Sequence, residues 1–138
     1  MTKEENKDVP RRFFTAFETN DSEELERVLS PDFKFNQTGS MEATGREELL
    51  QKISGYQTIF SDQKYTILDQ VAEGDLVVNR VIWEATHVGD FLGLPPTGKR
   101  VLVSGISIER IKDGRIVERW LEMDQMSLLQ QLGLVPPT

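Results

Sequence analysis

Apolar residues recur at helical spacing near the start of the chain. Val9, Phe13, Phe14 and Phe17 fall on one face and Asn20 closes the run, which predicts an amphipathic helix with an aromatic stripe. Residues 1–8 are polar and mostly charged, and read as a loose tail or an exposed helical turn ahead of a single domain spanning 9–138. Asp21 or Asn20 can cap a second short helix from Ser22 to Leu29, with Leu25, Val28 and Leu29 inward and Pro31 as its stop. Phe33-Lys34-Phe35-Asn36 alternates as a short strand does. Thr44-Gly45-Arg46-Glu47 has the form of a capping box, and Leu49, Leu50, Ile53, Tyr56 and Phe60 continue a third helix behind it.

From Lys64 the period changes. Tyr65 to Val71, Leu76 to His87, Arg100 to Ile111 and Arg115 to Met123 read as strands, separated by Glu-Gly-Asp, by residues 89–98 and by Lys-Asp-Gly. A short helix, Gln125 to Leu132, ends at Gly133. Helices first and hairpin-linked strands afterwards predict an α+β fold, a curved antiparallel sheet with the N-terminal helices packed on its concave face and a hollow at one end.

Alternation decides which side chains share that hollow. In Leu76 to His87 the odd positions are Val77, Asn79, Val81, Trp83, Ala85 and His87. In the last strand the even positions are Ile116, Glu118, Trp120, Glu122 and Asp124. Each set carries a tryptophan beside ionisable groups, so Trp83 and Trp120 are assigned to one pocket, with Asp124 and His87 at its edge. Val117, Leu121 and Met123 are then left as an apolar row on the opposite face, suited to a homodimer. Arg100 to Ile111 is apolar on both parities; its facing is open, and Gly105 there is compatible with a bulge. Asp124 has two readings: an N-cap for the helix behind it, or a carboxylate at the mouth of an apolar cavity, where burial raises the pKa toward that of a general acid/base. His87, the single histidine, ends a strand beside the 89–98 loop, whose Pro95-Pro96 pair stiffens it as a lid.

Composition removes most other chemistry. The 138 residues hold no cysteine, which excludes disulfides, thiolate nucleophiles and iron–sulfur clusters. One histidine cannot make a His-x-x-x-His metal pair, and neither a Gly-x-Ser-x-Gly elbow nor a phosphate loop occurs. A metal site from carboxylates alone, such as Glu118, Glu122 and Asp124, stays open, but nothing in the spacing asks for it. A net charge of −7 repels phosphate backbones and anionic lipid, so nucleic acid and membrane are poor partners. With no apolar leader at the N-terminus, a soluble cytoplasmic protein is expected. Acid/base chemistry on an apolar organic molecule, or binding of one, remains.

Two stretches carry a resemblance. His87-Val-Gly-Asp-Phe-Leu-Gly-Leu-Pro-Pro-Thr-Gly-Lys99 resembles the pattern T-H-x-G-x-F-x-G-I/L-P-P-T-G-K of SnoaL-like proteins. Arg110-Ile-Lys-Asp-Gly-Arg-Ile-Val-Glu118-Arg-Trp120-Leu-Glu-Met-Asp124, with Leu128-Leu-Gln-Gln-Leu-Gly133, resembles their closing pattern. The resemblance implies a nuclear-transport-factor-2-like cone, usually homodimeric through its outer sheet face. It also implies a polyketide cyclase in which an aspartate, here Asp124, serves as general acid/base in an aldol ring closure without cofactor. Pocket positions carried over are His87 and Trp120, then Trp83, Asn36 and Phe91. Two positions depart from the family pattern: Arg119 stands where many members have histidine, and Asn36 where an early strand often ends in histidine. Sister groups on this fold isomerise ketosteroids, open epoxides or only bind. Epoxide opening normally uses a carboxylate–arginine–carboxylate relay, and Arg119 lies on the opposite parity from Asp124.

Overall fold

In a computed structural model of the chain, which describes residues 1–37 and 39–137, helix α1 spans Lys3–Thr19 and α2 spans Ser22–Val28. Of the two readings of residues 1–8, a loose tail or an exposed helical turn, the helical one forms: residues 3–8 open α1. Thr2 Oγ1 accepts from Glu5 N–H while Glu5 Oε1 accepts from Thr2 N–H, a reciprocal cap that starts the helix near the terminus. The apolar stripe then packs as predicted, with Val9, Phe13, Phe14 and Phe17 all buried. Asp21 caps α2 through Glu24 N–H, and Leu29 begins strand β1, Leu29–Gln37. Pro31 is tolerated because β1 is an edge strand.

Helix α3, Arg46–Ile59, starts one residue later than the Thr44 box predicted: Glu48 Oε1 accepts from Gly45 N–H. Thr44 instead exchanges two backbone hydrogen bonds with Phe35, which takes it out of the capping position. Strands β2 (Phe60–Glu73), β3 (Leu76–His87), β4 (Arg100–Lys112) and β5 (Arg115–Met123) follow, then α4, Gln125–Gln131. The five strands lie in the order β1-β5-β4-β3-β2. Three pairings are antiparallel; β1 runs parallel to β5, so the sheet is mixed where an antiparallel one was expected. The curved sheet carries the helices on its concave side, α1 lying against β2 with Glu18 accepting from Tyr65 N–H at 2.7 Å. Burying each aromatic or branched side chain of this interior contributes roughly 1.5–3 kcal/mol.

Two bulges set which side chains reach the interior. On β5 the register moves from Ile111↔Ile116 to Arg110↔Glu118, leaving Val117 as the extra residue. Ile116 therefore points inward, and after Val117 the inward set becomes Arg119, Leu121 and Met123. On β2 the register moves from Ser61↔Thr86 to Lys64↔Glu84, and Gln63 turns inward with only 7% exposure. β4, whose facing was open, presents its odd residues inward: Val101, Val103, Ser107, Glu109 and Ile111 are buried. Gly105 is not a bulge, since it pairs in register with Val81; a Cβ there would strike Met123 Sδ.

Candidate functional site

The concave side encloses a cavity of about 280 Å³. α1 contributes Phe17 and β1 contributes Phe35 and Gln37; Leu49, Lys52 and Tyr56 come from α3, Phe60, Gln63 and Tyr65 from β2, and Trp83 from β3. Val103, Arg119, Leu121, Met123, Gln125 and Leu128 complete the wall with Phe91 of the loop after β3. Lys52 and Gln125 are the exposed members and mark the mouth. The wall is mainly aromatic and aliphatic with a few polar groups, the usual make-up of a small-molecule pocket.

The aromatic end is tightly specified. Phe60 meets Trp83 edge-on at 5.0 Å and Phe91 at 5.4 Å. Trp83 Nε1 donates to Gln63 Oε1 at 2.9 Å, so the β2 bulge exists to place an acceptor beside a buried indole. Phe91 is held by a two-residue turn in which Leu92 and Gly93 both take positive φ, with reciprocal Phe91–Leu94 backbone bonds.

The polar end is a chain of hydrogen bonds along the inward face of the sheet. Arg11 Nε donates to Gln70, Gln70 Nε2 to Asn79 Oδ1, and Asn79 Nδ2 to Glu109 Oε2 at 2.6 Å. Ser107 Oγ donates to Glu109, and Arg119 Nε donates to Glu109 Oε1 at 3.1 Å. Glu109 and Arg119 are 0% and 1% exposed. The guanidinium carbon of Arg119 lies over the rings of Phe13, Phe35 and Phe14 at 4.9, 5.4 and 5.5 Å. Burial pushes the Glu109 carboxyl upward, opposed by Arg119 and by the Ser107 and Asn79 hydrogen bonds. Burial likewise lifts the Tyr65 and Tyr56 hydroxyls above the ordinary phenol range, so both remain proton-bearing donors at neutral pH. No group of three or more metal-ligating residues occurs among the described residues.

The residues singled out from sequence scatter. Trp83 and Phe91 line the cavity. Trp120 does not: the bulge at Val117 puts even positions of β5 outward, where Trp120 stacks under Arg110 at 5.9 Å. Asn36, paired with Trp120 in register, is also on the outer side and donates to Glu118 Oε2 and Arg119 O, because Phe33 and Phe35 take the inward positions. The proposed dimer row fails for the same reason, since Leu121 and Met123 line the cavity. His87 stands behind the wall. Its Nδ1 accepts Thr97 N–H at 3.2 Å with the Thr97 hydroxyl at 2.9 Å, and its ring packs on Phe60 and Phe91. It anchors the loop that carries Phe91. Asp124 is exposed; its Oδ1 accepts from Ser127 N–H at 3.0 Å as the N-cap of α4, and its neighbours Met123 and Gln125, not Asp124 itself, line the cavity. Glu109 was not singled out at all. An acidic residue amid Ser-Ile-Glu-Arg-Ile looks solvated until the partner strand places Arg119 opposite it.

A family model, the SnoaL-like polyketide cyclases, matches residues 7–132. The chain belongs to the SnoaL-like polyketide cyclase family. It is 26% identical over 121 residues to the nogalonic acid methyl ester cyclase of Streptomyces nogalater, covering 86% of this chain and 90% of that protein. Among solved structures it is similar to IdmH of Streptomyces antibioticus, a candidate polyketide cyclase, at 32% identity and TM-score 0.85 over 93% of this chain and 98% of that one. It is also similar to AclR of Streptomyces galilaeus, a candidate hydroxylase, at 27% identity and TM-score 0.89 over 99% and 86% of the two chains. The SnoaL-like fold thus accounts for the cavity, while its relatives are assigned to different reactions. No helix among the described residues is long and apolar enough to cross a membrane.

Proposed function

We propose that this SnoaL-like chain is an enzyme that closes a carbon ring in an apolar, polyketide-like substrate held in the cavity. The observation that carries the reading is an aromatic cavity whose wall includes one buried cation, Arg119, and two tyrosines, Tyr56 and Tyr65. Ring closure of the aldol type removes a proton beside one carbonyl and moves negative charge onto its oxygen. Donors fixed in a water-poor wall stabilise such charge far better than water does. Asp124 is the base in this reading: it sits between two wall residues, and its carboxylate must turn from the α4 cap toward the mouth to reach substrate.

The test is conversion of a polyketide methyl ester bearing two carbonyls in ring-forming relation, followed by chromatography at unchanged mass. Asp124→Asn keeps the cap and should lower turnover by about two to four orders of magnitude, the ordinary worth of acid/base catalysis. Full turnover in that variant removes Asp124 from the mechanism. A second reading, a binding protein, is favoured by one observation: among the described wall residues there is neither carboxylate nor histidine. Tight ligand binding with no conversion would select it over the enzyme.

The assembly proposed is a homodimer through the outer sheet face. Leu102 and Ile106 are about half exposed there, beside Val78, Ile82, Ile108 and Trp120. The surrounding charges are of both signs, Arg80, Glu84, Arg110 and Glu118, so the face is complementary to a second copy of itself.

A further inference from the structure

We infer that Arg119 is the subsite on which this cavity seats an oxygen carrying negative charge, an enolate or phenolate on an otherwise apolar ligand. The inference deepens the ring-closing reading by naming the residue that meets the developing charge, and it rests on that reading for the enolate alone.

A guanidinium is charged at every working pH and presents five donors. Here it lies on the cavity wall, 1% exposed, and its Nη2 is buried with no hydrogen-bond partner among the described residues. The three phenyl rings around it supply a favourable field but no acceptor. Glu109 takes the Nε proton only, and it is pinned from behind by Asn79 and Ser107, so it cannot swing to cover Nη2. A buried charged donor without an acceptor is expensive, and native structures rarely leave one. An oxygen entering from the cavity is what completes it.

Charge in that oxygen matters because the surroundings are apolar. Hydrogen bonds from an ionised donor are about twice as strong as neutral ones, and more so when the acceptor is also charged. Glu109 competes for the same cation, but its burial already favours the protonated form. An anion seated on Arg119 would push the Glu109 carboxyl further upward, in the direction burial already pushes it. Lys52 at the mouth attracts the same class of ligand into a chain whose net charge is −7.

The probe is 4-nitrophenol, whose colour reports its own ionisation and which has no ring to close, so the outcome is independent of cyclisation. Occupancy is read through Trp83 fluorescence in a Trp120→Phe background, with titration of the bound probe by absorbance. In the otherwise native protein the bound phenol should ionise at a pH about one unit or more below that of the free probe, equivalent to about tenfold tighter binding of the ion. In Arg119→Met/Glu109→Gln, which removes the charged pair as a unit, the sign should reverse, because an apolar cavity without its cation favours the neutral phenol. An unshifted or raised ionisation in the native protein overturns the inference. So does a double variant that still lowers it, and so does a failure of the probe to enter the cavity.

Discussion

Replacing Arg119 by methionine isolates the energetics of the buried polar relay. Methionine keeps an unbranched apolar stem against Phe13, Phe14 and Phe35, so little packing is lost. What is lost is the counter-charge of a carboxylate that is 0% exposed and 3.1 Å from Arg119 Nε. Removing one partner of a buried pair typically destabilises by about 3–5 kcal/mol, since the remaining charge must be protonated or stay uncompensated. With a urea slope of about 2 kcal/mol per molar, ordinary for a small protein, the unfolding midpoint should fall by about 1.5–2.5 M at neutral pH. The pH dependence carries the sign. Burial raises the Glu109 carboxyl, and Arg119 is the largest influence opposing that rise. Without Arg119 the folded-state pKa climbs further above its unfolded value of about 4.3. Stability tied to that proton is fully present below about pH 4.3 and is lost as pH rises toward the folded pKa. The gap between variant and native protein should therefore be widest near neutrality and narrow on acidification. Adding Glu109→Gln should restore much of the loss at neutral pH and flatten the difference. Equal midpoints for Arg119→Met and the native protein, or a gap that widens toward acid, would refute the reasoning.

Gly105→Ala should destabilise by about 1–3 kcal/mol, because its Cβ meets Met123 Sδ and the Glu122 carbonyl in a packed wall; thermal unfolding measures it. His87→Ala releases the Thr97 contacts that hold residues 88–99, so limited proteolysis should cut that loop faster while global stability falls less than for Arg119→Met. Asp124→Ala should cost about 1 kcal/mol through the lost α4 cap, whereas Asp124→Asn should unfold like the native protein in the same urea titration. Ile106→Glu places a charge in the middle of the outer apolar face and should yield monomers in analytical ultracentrifugation; an unchanged sedimentation coefficient would argue against pairing there.

Periodicity was enough for most of the fold. β3 and β5 begin and end where alternation begins and ends, and the aromatic stripe of α1 is buried residue for residue. Strand facing on β3 also followed from alternation, because no bulge interrupts its pairing with β4. On β5 the same rule misled. Alternation propagates only through an unbroken ladder, and the extra residue at Val117 shifts every later side chain to the other face. Unbroken parity puts Trp120 in the pocket and Arg119 on the opposite face, while Asn36 enters the pocket by family resemblance alone; arginine is also seldom fully buried. Only strand pairing, which brings Glu109 opposite Arg119, makes that burial physically reasonable. The signal was present in one form: Asn79, Ser107, Glu109 and Arg119 are polar residues interleaved among Val, Ile and Leu on three adjacent strands, a pattern that a half-buried sheet produces when its inward face carries a network.

Under the proposed reading, the two ends of the cavity divide the work of a ligand site. Phe60, Phe91 and Trp83 supply shape, with the single indole N–H satisfied by Gln63, so that end gains from apolar contact and asks for no further polar partner. The Arg119 end is the reverse: its fixed relay of Glu109, Asn79 and Ser107 holds a cation rigid against the wall with Nη2 left without a partner among the described residues. Replacing such a relay by packed hydrophobic residues is often neutral or stabilising, so stability alone does not explain its presence. Recognition does. A rigid donor set at one end and a flat aromatic end opposite orient a molecule that is apolar along its length and oxygenated at one terminus. That orientation would set which carbonyl faces Arg119 and which carbon lies toward Met123 and the mouth, into which Asp124, the proposed base, would have to turn from the α4 cap.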